Sequence, residues 1–182
     1  MPNESEFPIG YAALPSGELD VAARMLIQER LRGVRKSVGR DLTPIDVVLN
    51  PSRPAERKHL FEEACELYWN ELNWEELTDE EMVEGGELTE MVFPGLLAFV
   101  DALLPKATNG EPDRDREHRD VAHDFMLWLG ARLCELRDAR SDDPDTQLRS
   151  RREAVITDEL IDLVAFRLYS LDGPEIEQLR RR

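Results

Sequence analysis

The chain has 182 residues, with 23 Lys and Arg against 39 Asp and Glu, for a net charge of −16. That length buries a real hydrophobic core without staples, and so acidic a total disfavours a molecule that clamps phosphates over its whole surface. Cys65 and Cys134 stand alone and form neither a CxxC knuckle nor a disulfide framework, so two free buried thiols of a reducing, cytoplasmic protein are expected.

The opening MPNESEFPIG has acids and prolines where a signal peptide would have lysines and an apolar run, so secretion is not expected. Residues 1–15 show no sustained period and are expected as an N-terminal arm preceding a helical domain over residues 16–182. Ser16 then precedes a run in which Leu19, Ala22, Ala23, Leu26, Ile27, Leu31 and Val34 recur at three- and four-residue spacing. This predicts a helix over residues 18–36, capped by Ser16, whose region is basic through Arg24, Arg30, Arg32, Arg35, Lys36 and Arg40.

Pro44 and Pro51 punctuate a connector that contains IDVVL. Pro54 suits a first helical position, and Leu60, Phe61, Ala64, Leu67 and Tyr68 form the inward stripe of a second helix to about Asn70. Thr78 and Glu81 make a capping-box pattern that Gly85-Gly86 soon interrupts. A third helical region over residues 89–104 contains Pro94-Gly95, so a kink or restart is expected near Phe93, where proline removes a donor and clashes with the preceding turn. The stretch MVFPGLLAFVDALL within it is too short to span a bilayer and carries Asp101.

Asn109-Gly110 marks a turn, after which Pro112 opens a long helix to about Arg140 with Val121, Ala122, Phe125, Met126, Leu129, Leu133 and Leu136 inside. Past SDDPD, Asp143 caps and Pro144 starts the final long helix, ending near Tyr169, with Leu148, Val155, Leu160, Ile161, Val164, Ala165 and Leu168 toward its partner. Asp172 and Pro174 begin a short last helix. Short polar loops between long helices make antiparallel neighbours the default, and no useful β-alternation occurs. The expected fold is all-α: a single-domain bundle of five or six helices with a C-terminal antiparallel helical hairpin.

From about Phe125 to Ile176 the chain resembles the helical tail of adenine-specific DNA methyltransferases found in restriction-modification and phage-defence systems, two helices paired across a polar break. Those tails close on a phrase like D-x-x-I-D-x-L-V-Y-x-L-Y-G-L-T-x-x-E-I. Asp158, Ile161, Asp162, Leu168, Tyr169, Leu171, Glu175 and Ile176 fall on it without a gap, with Phe166 in place of its tyrosine, Ser170 of its glycine and Asp172 of its threonine. The rest of the chain departs from a methyltransferase. It has no glycine-rich cofactor turn, and Asn50-Pro51-Ser52-Arg53 lacks the second proline and the aromatic of the loop that accepts a flipped adenine. A stand-alone helical protein with this ending is similar to BrxE-like accessory proteins of BREX phage-defence systems. That resemblance implies a partner role and no catalytic residues.

Catalytic patterns are sparse. His59, His118 and His123 are the only near-neutral titrating side chains, and the five-residue step from His118 to His123 would turn them apart on a helix. Arg116 and His123 have the spacing of a HEPN-like helical nuclease, although Glu117 departs from that motif. The acidic run from Glu62 to Glu90 could instead make the protein a DNA mimic that sequesters a DNA-binding protein. The leading expectation is a non-catalytic accessory protein without metal or cofactor. Its partner would be a protein, such as a defence-system DNA methyltransferase or associated subunit; self-association stays open, and neither membrane nor direct nucleic-acid binding is expected. The expected partner-binding residues are Trp69, Trp74, Phe166, Leu168, Tyr169 and Leu171, since aromatic anchors are enriched at interface hot spots.

Overall fold

The computed structural model describes residues 17–42, 50–72 and 86–181. The arm over residues 1–15, the Ser16 cap, IDVVL, Trp74 and the Thr78–Glu81 capping pattern lie outside the described residues. In α1 (Gly17–Ser37) the three- and four-residue period carries through: Ala23, Ile27, Leu31 and Val34 are buried and Leu26 is half-buried, while Ala22 at the edge of the stripe is exposed. The next helix, α2 (Pro54–Glu71), starts at its proline and buries Phe61, Ala64, Cys65, Tyr68 and Trp69.

The restart expected near Phe93 separates α3 (Gly86–Val92) from α4 (Pro94–Leu103), with Phe93 itself out of helical geometry and its side chain fully buried. Pro94 has no N–H to continue the ladder. Glu71, the last residue of α2, satisfies the donors this leaves open. Its carboxylate accepts from the backbone N–H of Gly95 at 2.9 Å and from that of Leu96, placing an acid at the positive end of α4.

Pro112 does not open the next helix. The chain first doubles back: Lys106 and Pro112 form an isolated antiparallel bridge, the Asp113 N–H donates to the Pro105 carbonyl, and the turn between them uses Gly110 at φ 84. The His118 N–H then reaches the Leu103 carbonyl at 2.7 Å, and only after it does α5 (Arg119–Asp138) begin. The sequence signal was displaced because these backbone groups find partners across the turn rather than four residues on.

Helix α5 is the axis of the fold. It packs against α1, α2, α4 and the following helix α6 (Pro144–Leu168), and its buried residues go all round it, beyond the single stripe expected. Gly130 permits the close approach of α1, since a Cβ there would come within 3.0 Å of Ile27 Cγ1. Arg132, late in α5, meets Glu153, early in α6, and Arg119 at the start of α5 reaches the Leu168 carbonyl at the end of α6, so the two helices run in opposite directions. Asp143 caps α6 as expected, accepting from Asp145 N–H. Val155, expected inside, is 41% exposed, because Glu153, Ile156, Thr157 and Leu160 define the buried face and leave it to one side.

Helix α6 ends in a Schellman motif: Leu171 N–H donates to the Phe166 carbonyl and Ser170 N–H to that of Arg167. The motif needs a left-handed residue, and Ser170 adopts φ 53. A capping box follows, in which Asp172 Oδ1 accepts from Glu175 N–H at 2.8 Å and Glu175 returns the bond to Asp172 N–H at 3.0 Å, opening α7 (Gly173–Arg180). Among the described residues there are thus seven helices and no strand, an all-α protein with a helix more than the five or six expected. A side chain at left-handed φ is strained, so Ser170→Gly is expected to raise the urea unfolding free energy by about 1 kcal/mol; an unchanged or lower midpoint would contradict the strained turn.

Candidate functional site

Polar side chains concentrate at two places around α5. At the first, Tyr68 on α2 sits inside an aromatic cluster, stacked on Phe93 at 5.4 Å and edge-on to Trp128 at 5.2 Å and Trp69 at 5.0 Å. Its hydroxyl donates to Glu153 Oε1 at 2.6 Å and lies 2.9 Å from Thr157 Oγ1. Arg132 clamps the same carboxylate through Nε at 2.7 Å and Nη2 at 2.8 Å, and its guanidinium lies 5.0 Å from the Trp69 ring centre. Burial opposes the charge on Arg132, but the hydrogen bonds and attraction of Glu153 outweigh it and raise the arginine above its ordinary value. Burial, then Glu153, pushes the Tyr68 hydroxyl well up. The node thus ties α2, α5 and α6 together with Arg132 charged and Tyr68 neutral.

The second place gathers Ser52, His118 and Asp120, residue types of a hydrolytic triad in another order. Ser52 Oγ donates to Asp120 Oδ1 at 2.7 Å and lies 2.9 Å from His118 Nδ1, while Asp120 Oδ2 accepts from Ser52 N–H at 2.8 Å. In a triad the histidine stands between serine and acid and draws off the serine proton. Here that proton points at the acid, and His118 Nε2 faces Glu56 Oε1 at 3.5 Å. Beside it Asp124, buried on α5, is held by Arg57 from α2 at 2.6 and 2.8 Å. The arrangement fastens the segment before α2 to the first turns of α5.

His118 therefore lies at the start of α5 and faces α2, His123 is half-buried on the side facing α1, and exposed His59 is 3.9 Å from Glu63. No group of three or more metal-ligand side chains occurs among the described residues, and no described helix is long and apolar enough to cross a membrane. Arg116 lies in the exposed turn before α5. Cys65 is buried, its thiol pushed up by burial and then by Glu62 and Glu66, and Cys134 is half-buried; both are free.

The residues expected to meet a partner are largely spent within the chain. Trp69, Phe166, Leu168 and Tyr169 are between 2% and 8% exposed, and Leu171 is half-buried. Their large apolar area closes the bundle's own core, which is the stronger demand on it. The polar node was missed in the sequence. Its trace there was an arginine and a glutamate, Arg132 and Glu153, set on otherwise apolar stripes, with nothing to say that they meet.

What the surface offers is a set of grooves. A groove of about 640 Å³ runs along α7 with Leu104, Phe166, Leu171 and Ile176 in its wall, rimmed by the pairs Arg167–Asp101 at 2.8 Å and Arg180–Glu90 at 3.3 Å. On the other side of Phe166 a groove of about 800 Å³ between α1 and α7 exposes Met25 and part of Leu26 and Leu179, with Arg30 held by Asp158 and Asp162 at its edge. A smaller cleft of about 360 Å³ lies between α1 and α5 beside His123. No protein-family model, curated protein or solved structure matches the chain.

Glu153→Ala strands Arg132 and Tyr68 in the core and is expected to cost about 3–5 kcal/mol, whereas the double change Arg132→Met with Glu153→Leu costs less than the single one; chemical denaturation of both variants checks the order. Asp162 is raised above its ordinary 3.8, chiefly by burial and despite Arg30. The folded state therefore binds its proton more readily than the unfolded state, and the stability this contributes is present below pH 3.8 and lost as pH climbs through the raised value. Wild type is expected to lose stability relative to Asp162→Asn over that interval, read from paired thermal melts; a constant difference would contradict the shift.

Proposed function

We propose that the protein is a non-catalytic helical accessory component of a bacterial or archaeal phage-defence system of the BREX kind, acting by protein-protein contact. One observation carries the proposal. The stretch resembling a methyltransferase tail folds into the α6 end, the Schellman turn and α7, and Phe166, Leu171 and Ile176 of that stretch wall the 640 Å³ groove. The glycine position of the resembling phrase falls on Ser170, the residue at positive φ, so the phrase and the turn agree in physical terms. The groove fits an apolar helix stripe from a partner, with its charge pairs at the rim and the hydrophobic wall at its centre.

The partner in this reading is a defence-system DNA methyltransferase or an associated subunit. The acidic-mimic alternative draws less support, because part of the acidic run has internal work: Glu71 caps α4 and Glu90 pairs with Arg180. Tagged protein purified from its native host is expected to bring down a methyltransferase or another component of the same defence system. Ile176→Arg is expected to reduce that recovery at least about tenfold, the scale of one lost anchor, while the circular-dichroism melt stays cooperative. Recovery of no defence component would remove the proposal.

A further inference from the structure

The cleft between α1 and α5 differs in charge from the rest of the surface. Arg24, Gln28 and Arg32 follow one another at four-residue steps, which places them about 6 Å apart along the axis and within about 80° of arc, with Arg35 inside the same arc. His123 faces them from α5, and buried Ile27 and Leu127 lie at the bottom. Among the described residues no carboxylate lines this cleft, whereas the 640 Å³ and 800 Å³ grooves each carry at least two, Glu90 and Asp101 in the first and Glu29 and Asp162 in the second. Arg24 is held by Asp20 at 2.9 Å, while among the described residues no carboxylate lies within ion-pair distance of Arg32 or Arg35. The negative end of the α1 dipole accounts for a cation in the last turn, such as Arg35, but does not reach back to Arg24 and Arg32.

We infer that this cleft is a phosphate-binding site, taking phosphate groups carried on a nucleotide or on a nucleic-acid strand. Guanidinium forks match phosphate oxygens two at a time, and two of them on one wall suit an anion with more than one charged group better than a single carboxylate. The cleft volume of about 360 Å³ is at the small end of ligand sites and suits one nucleotide unit. The net charge of −16 slows the approach of such a ligand, but at physiological salt it is screened beyond about 8 Å, so the local arginines govern what is held once there. The inference stands independently of a protein partner at the α7 groove.

The test is fluorescence anisotropy of the full chain with a labelled single-stranded oligonucleotide of about 12 residues, with ATP and a polyglutamate peptide as competitors. Two phosphates engaged by Arg32 and Arg35 predict a salt slope of about −1.4, so that affinity falls about 7-fold between about 50 and 200 mM salt. The variant Arg32→Gln with Arg35→Gln is expected to lose binding at least about 7-fold. The control Arg149→Gln with Arg151→Gln, which removes the same charge from exposed positions of α6, stays within about 2-fold of wild type. Equal potency of ATP, per molecule, assigns the site to a nucleotide; displacement only by unlabelled oligonucleotide assigns it to a strand. Absence of binding at the lower salt, retention of binding by the Arg32/Arg35 variant, equal loss in the control, or equal competition by polyglutamate would each overturn the inference.

Discussion

Through most of its length α5 is buried on nearly every side, with solvent reaching mainly its last turn, and it carries charge along the buried part nonetheless. Arg119, Asp120, Asp124 and Arg132 are all buried on it. Each is answered by a different piece of chain: the Leu168 carbonyl, Ser52, Arg57 and Glu153. A buried charge without its partner costs several kcal/mol, so a slipped register of any neighbour would leave at least one of these groups stranded. Hydrophobic burial makes the helices associate; these four pairings determine which residue faces which. The same logic explains the glycine at 130, where close contact with Ile27 leaves room for no side chain.

That commitment shapes what the molecule can do. Tyr68, Glu153 and Arg132 form the most concentrated polar group in the core, where Glu153 keeps the arginine protonated against its burial and burial keeps the tyrosine un-ionised. Ser52, His118 and Asp120 contain the elements of nucleophilic chemistry, but the Ser52 hydroxyl donates its hydrogen bond to the acid. Both groups are joints between helices. The surface is left with grooves, and these differ in character: the two flanking Phe166 combine apolar walls with paired charges, while no carboxylate among the described residues lines the one under Arg32 and Arg35.

Much of the fold was legible because helices announce themselves locally. Pro54, Pro144 and Asp143 mark helix starts, the Pro94 break falls where its missing donor requires it, and Asp172 caps the last helix as its sequence position suggests. The errors have local causes as well. Pro112 looked like a helix start, but its neighbours pair across a turn with Lys106 and Pro105, and α5 waits until Arg119. Val155 sits at a permissible spacing, yet the presence of Glu153 and Thr157 on the buried face turned it outward.

The candidate sites were less legible, for a reason of distance. Large side chains such as Trp69, Phe166 and Tyr169 look equally suited to an interface or to a core, and only the arrangement of neighbours put them in the core. Tyr68 and Glu153 are 85 residues apart, Arg30 and Asp162 are 132 apart, and Arg32 shares a cleft with His123 from a helix far away in the chain. By itself the sequence determined the helices, their caps and their apolar faces, because those depend on residues within a turn or two of one another. Tertiary structure alone decided which charges are cancelled and which stay open to a ligand, since cancellation is set by separation in space and the chain order carries no record of it.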